Sequence, residues 1–128
     1  MVRILISEPH DDVRQLLLRM VSRLGYEPVL MTVPAPEQLT SVDVLLVEPA
    51  APIGAVMAQA ASIAVPSLPL ICASVSAPPS ELTALGVEFD ASLVKPFTIQ
   101  QLSEAIERAL RSRRRHTDFH GPDSRDVA

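Results

Sequence analysis

An α/β domain built on a parallel sheet is predicted by three features of the sequence. Short aliphatic runs alternate with stretches of helical periodicity, five of the first and about five of the second. Two inner runs, "VDVLLVE" (42–48) and "LPLICAS" (68–74), are apolar almost without interruption, as expected where helices cover both sheet faces. Strands alternating with helices in this way are joined by right-handed crossovers.

The elements follow in order. "RILIS" (3–7) is a short aliphatic strand. Val13, Leu16, Leu17, Met20, Val21 and Leu24 then recur at helical spacing, with Asp11 placed to cap the helix and Gly25 to end it. "YEPVLM" (26–31) is a second strand, and Pro28 assigns it to an edge because proline has no N–H for a ladder. "TVPAPEQLTS" (32–41) should hold a helix, but Pro34 and Pro36 leave room for only a turn or two. "VDVLLVE" is the third strand, residues 53–65 an Ala-rich helix, "LPLICAS" the fourth strand, and "PPSELTALG" (78–86) a short helix ended by Gly86. "ASLV" (91–94) is the fifth strand. Thr98 and Gln101 have the spacing of a capping box, and Ile99, Leu102, Ile106 and Leu110 keep one face of the last helix inward.

A chain of 128 residues is one domain's worth, able to bury roughly two thirds of its unfolded surface. Residues 1–111 are expected to form the domain and 112–128, where periodicity is lost, a flexible tail. The single cysteine, Cys72, lies in an apolar strand, so neither a disulfide framework nor a thiolate metal set is expected. No signal peptide is recognisable at the start, which points to the cytoplasm. Residues 49–80 carry no charged side chain, but Pro52, Pro66 and Pro69 break that run into pieces far short of the ~20 residues a spanning helix needs. No membrane association is expected. The uncharged 53–65 helix is either a plain crossover or a face that offers Ala and Met to a partner. "RSRRRH" (111–116) is basic, but without aromatic residues or a reading helix it is better explained as a solvated helix end than as a nucleic-acid contact.

Ligands of open parallel sheets collect beyond the carboxyl ends of the strands. Those ends are Ser7-Glu8-Pro9, Glu48-Pro49, Ser74 and Lys95-Pro96. Lys95 is the only lysine beside ten arginines, a compact point charge kept at one place. His10 sits next to this cluster and reads as a loop residue. No glycine-rich phosphate loop and no Ser/His/Asp or Cys/His arrangement is present, so an enzyme is not expected.

These strand ends, with "SLVKPFT" before the last helix, "ILISEPHDDVRQLL" and "DVLLVEPAAP", resemble the receiver domain of bacterial two-component response regulators over residues 3 to about 110. The resemblance implies a flavodoxin-like, doubly wound five-stranded sheet of order 2-1-3-4-5. It also implies that a histidine kinase phosphorylates an aspartate after the third strand, with Mg²⁺ held by that aspartate and an acidic pair after the first. The Ser or Thr of the fourth strand and the Lys of the fifth bind the phosphoryl oxygens, and the Lys-Pro bond is usually cis. Ser74 and Lys95 match this pattern.

The departures carry the functional reading. Glu48 stands at the phosphoacceptor position, Glu8-Pro9 replaces the acidic pair, Ser92 replaces the aromatic switch residue that accompanies the Ser74 position, and the second helix is shortened. One extra methylene moves the carboxylate by roughly 1.5 Å, and a misplacement of about 1 Å can cost ~100-fold in rate. The family's three carboxylates against one lysine call for a divalent ion, whereas Glu8 and Glu48 against Lys95 leave one negative charge and Pro9 supplies no ligand. Mg²⁺ at Glu8 and Glu48 is therefore expected to be weak or absent, with no other cofactor. Asp11 and Asp12 are better explained as capping residues than as replacement ligands.

Glu48 is instead expected to pair with Lys95, joined by Ser74. The expected function is that of a stand-alone, atypical receiver domain, a protein-interaction module that does not depend on phosphorylation and meets a histidine kinase or an output protein. By resemblance, a homodimer would form through the fourth helix, fifth strand and last helix. The alternatives are an active phosphoacceptor using Glu48 or a nearby aspartate, and a small-molecule binding module.

Overall fold

The computed structural model describes residues 1–31, 33, 35–76 and 78–112. Among them are β1 (Arg3–Ser7), α1 (Asp11–Arg23), β2 (Glu27–Leu30), a 3₁₀ helix (Pro36–Ser41), β3 (Val44–Val47), α2 (Pro52–Ala64), β4 (Leu70–Ser74), α3 (Ser80–Ala84) and β5 (Ala91–Val94). A last helix, α4, covers residues 99–112. All strand pairs are parallel, and the sheet order is β2-β1-β3-β4-β5. Pro28 is on the edge strand β2, where its missing N–H is harmless.

Alternation along the strands divides the interior into two layers. Ile4, Ile6, Val44, Leu46, Ile71 and Leu93 pack with Leu17 and Val21 of α1 and with Leu102, Ile106 and Ala109 of α4. Leu5, Leu45, Val47 and Leu70 point the other way, against Met57, Ala58 and Ala61 of α2, Leu39 of the 3₁₀ helix and Leu82 of α3. Every residue of β3 and β4 is buried, which explains their unbroken apolar sequences.

Local differences from the sequence reading have physical causes. The segment before β3 is a 3₁₀ helix of six residues with Pro36 in its first turn, because prolines leave no room for α-helical N–H donors. α2 starts at Pro52, since proline suits the first helical position. Asp11 is not the cap of α1. His10 occupies that position and makes no side-chain capping bond, while the Asp11 carboxylate accepts a bond from Arg14 at 2.8 Å. A charge-assisted bond to a guanidinium is stronger than one to a neutral amide, so Asp11 turns to Arg14. Gly25 and Gly86 follow α1 and α3 with φ of +91° and +85°, a region that only glycine enters without cost. The reciprocal Thr98 and Gln101 capping bonds are present, at 2.8 and 3.1 Å. Of the expected tail, Ser112 still belongs to α4, and the rest, with most of the "RSRRRH" run, lies outside the described residues.

Candidate functional site

The backbone delivers the candidate residues to one end of the sheet. The Glu48 N–H donates to the Ser7 carbonyl at 3.0 Å and the Lys95 N–H to the Ser74 carbonyl at 2.9 Å, so each ladder continues one residue beyond its strand. Each chain then turns outward. The Ala51 N–H donates to the Glu48 carbonyl at 3.2 Å, and the Lys95–Pro96 peptide bond is cis. The side chains of Glu8, Glu48 and Lys95 are thereby fixed above the core, in a space that water barely reaches.

Lys95 Nζ donates to Glu48 Oε1 at 2.9 Å and also to Glu8 Oε1. It bridges both carboxylates, whereas the sequence suggested only Glu48 as its partner. Glu8 Oε2 accepts from the His10 backbone N–H at 3.1 Å and lies 3.2 Å from the His10 ring Nδ1. Glu48 Oε2 accepts from the Ala50 N–H at 3.2 Å, and the Ser74 hydroxyl also hydrogen-bonds the Glu48 carboxylate. Arg14 holds the loop from the other side, donating to the Glu8 carbonyl at 3.0 Å. Ser92 is not brought into this cluster. It is exposed in the middle of β5 and lines a separate hollow with Gln101, Glu104 and Arg108.

The electrostatics follow from these contacts. Burial pushes the Glu48 carboxyl up, but the Lys95 ammonium, the Ser74 hydroxyl and the Ala50 N–H outweigh it and hold the group below the usual carboxylate range. Burial pushes Lys95 down, and its bonds to Glu8 and Glu48 more than reverse this, so the ammonium is held above its ordinary value. Cys72, behind the cluster on β4, is pushed up to about 11 by burial and then by Glu48, which keeps it a thiol.

Sequence reasoning missed Gly54, a first-turn residue of α2. A Cβ there would stand 2.1 Å from the Glu48 carbonyl oxygen, so the helix can lie against the end of β3 only with glycine at this position. Its signal was a lone glycine inside an Ala-rich helix. Arg14 was missed as well, and nothing in its spacing pointed to the Glu8 carbonyl.

No family model and no curated protein matches the sequence. Solved structures with the same fold do match. A response-regulator receiver domain protein from Clostridium thermocellum superposes with a TM-score of 0.75 at 20% identity, covering 89% of this chain and 98% of that one. A CheY-like receiver domain protein from Methanospirillum hungatei gives 0.77 at 18% identity, with 91% and 98% covered. The chemotaxis protein CheY4 of Vibrio cholerae gives 0.71 at 20%, with 86% and 99% covered. The chain therefore has the flavodoxin-like fold of response-regulator receiver domains.

The resemblance read from the sequence implies a magnesium site at these strand ends, and the donors present do not suit one. Each oxygen of Glu8 and Glu48 already accepts a bond from Lys95, His10 or Ala50, and the next residue after Glu8 is a proline without a side-chain oxygen. An octahedral ion would have to displace an ammonium that touches both acids. Among the described residues no cluster of three or more His, Cys, Asp or Glu could hold a metal, and no helix is long and apolar enough to cross a membrane.

Proposed function

We propose that this chain is an atypical receiver domain that works as a protein-interaction module in two-component signal transduction, without phosphorylation, cofactor or enzymatic turnover of its own. A histidine kinase or an output protein in the cytoplasm is the partner this reading calls for. The observation that carries it is the Lys95 bridge between Glu8 and Glu48.

Phosphoryl transfer is accelerated by placing a nucleophile in line and by neutralising the equatorial oxygens with a metal and a lysine. In this domain the lysine is already neutralised by two acids, and Glu48 is committed to Lys95, Ser74 and Ala50. The contact supports a domain held in one arrangement. A partner would then read a constant surface, and control would come from its own state or from the amount of this protein.

The test is intact mass spectrometry after incubation with acetyl phosphate and Mg²⁺. The expected result is no stable gain of a phosphoryl group. A gain that disappears in Glu48→Gln would replace this reading with that of an active phosphoacceptor.

A further inference from the structure

We propose that the Lys95 ammonium takes the place of a divalent ion in this domain, and that the ammonium, not a shortage of oxygen ligands, is what keeps such an ion out. This rests on the reading above and names what closes the site.

The two acids converge on a single atom. Glu8 Oε1 and Glu48 Oε1 both accept from Lys95 Nζ, although two strands separate β1 from β5. The second oxygen of each acid is held by backbone, Glu8 Oε2 by the His10 N–H at 3.1 Å and Glu48 Oε2 by the Ala50 N–H at 3.2 Å. Each carboxylate is thereby turned so that one oxygen faces the common point. The Glu8 and Glu48 side chains are 1% and 8% exposed, so charge attraction at that point is weakly screened.

Two carboxylates are enough for a hydrated ion. Mg²⁺ usually keeps several waters and takes one or two carboxylates, and Mn²⁺ suits the same donors. The proline at position 9 therefore withholds nothing that water could not supply. Charge separates the two causes. Glu8 and Glu48 alone sum to -2, which one divalent ion balances, whereas with Lys95 between them an added ion would leave the cluster at +1. To yield its place, the ammonium would give up two charge-assisted bonds at once. Its backbone N–H is also tied to the Ser74 carbonyl at 2.9 Å, which holds the base of the side chain over the site.

The experiment is thermal denaturation of the full chain, followed by circular dichroism in increasing Mn²⁺, for the parent, Lys95→Met, and Lys95→Met combined with Glu8→Gln. The parent midpoint should stay in place up to about 10 mM Mn²⁺, and that of Lys95→Met should start lower and climb saturably by at least about 5 °C. If Lys95→Met is unfolded without metal, the expected result is that Mn²⁺ folds it. The double variant, with one carboxylate left, should not climb. A Lys95→Met chain indifferent to Mn²⁺, whether folded or unfolded, would overturn the proposal, because ligand shortage would then be the cause. A double variant that climbs equally would place the ion elsewhere and overturn it too. Lys95 is the only lysine, so ¹³C-lysine labelling gives one side chain's signals, and equimolar Mn²⁺ should leave them sharp in the parent. Paramagnetic broadening there would mean that the ion enters beside the ammonium, and the proposal would fall. A phosphoryl gain with acetyl phosphate overturns the reading of the previous subsection, whereas the Lys95→Met result decides only what closes the site.

Discussion

At the scale of single residues, Glu8, Glu48 and Lys95 form a closed set of charges at the strand ends. A buried ammonium between two buried carboxylates satisfies charges that would be costly alone, and removing one partner of such a set typically costs about 3–5 kcal/mol. Gly54 sets a second constraint of a different kind. Because an added Cβ meets backbone and not a flexible side chain, α2 must move as a body. Gly54→Ala should therefore lower stability by about 1–3 kcal/mol, although alanine favours helices. A urea midpoint equal to that of the parent would show that the approach is looser than the structure has it. Lys95 was legible because it is the only lysine and follows a strand. Its bond to Glu8 was not, because β1 and β5 are separated by β3 and β4, and only a long side chain lying over the strand ends joins them.

At the scale of elements, α4 is positioned by its first turn. It begins just past Phe97, which lines a groove beside Lys95, and buries Leu102, Ile106 and Ala109 against the sheet. Thr98→Ala removes the hydroxyl that accepts the Gln101 N–H and should cost about 1 kcal/mol, with Thr98→Ser restoring most of it. Thermal denaturation of the three proteins checks this, and identical midpoints would mean that water caps the helix equally well. This box was legible in the sequence because it is local, two residues three apart. The role given to Asp11 was wrong because a tertiary competitor, the Arg14 guanidinium, took the carboxylate. The reduction of the second helix to a 3₁₀ turn was partly legible, since prolines exclude a long α-helix but do not select between the short alternatives.

At the scale of the whole molecule, the cluster links stability to pH. Glu48 is held below its ordinary value of 4.5, so its contribution is present above that value and is lost as the pH falls through its lower, folded value. Lys95 is held above its ordinary 10.5, so its contribution is present below that value and is lost as the pH rises through its higher, folded value. Between the two, these groups contribute a plateau. Urea midpoints measured across pH should fall on the acid side, and the acid-side slope should be shallower in Glu48→Gln. An unchanged slope would mean that the carboxylate is not held by Lys95, Ser74 and Ala50 in solution.

The alternation of strands and helices, the edge position of β2, the Thr98–Gln101 capping box and the four strand ends were determined by the sequence alone. Each depends on spacing within a short stretch, on proline and glycine chemistry, or on which runs are apolar. Only the tertiary structure decided which acids share Lys95 and that Ser92 stands apart. Those outcomes depend on how far side chains reach between strands that are not neighbours and on how closely a helix approaches a loop. Distances of that kind are set by sheet order and packing, and they have no counterpart in sequence separation.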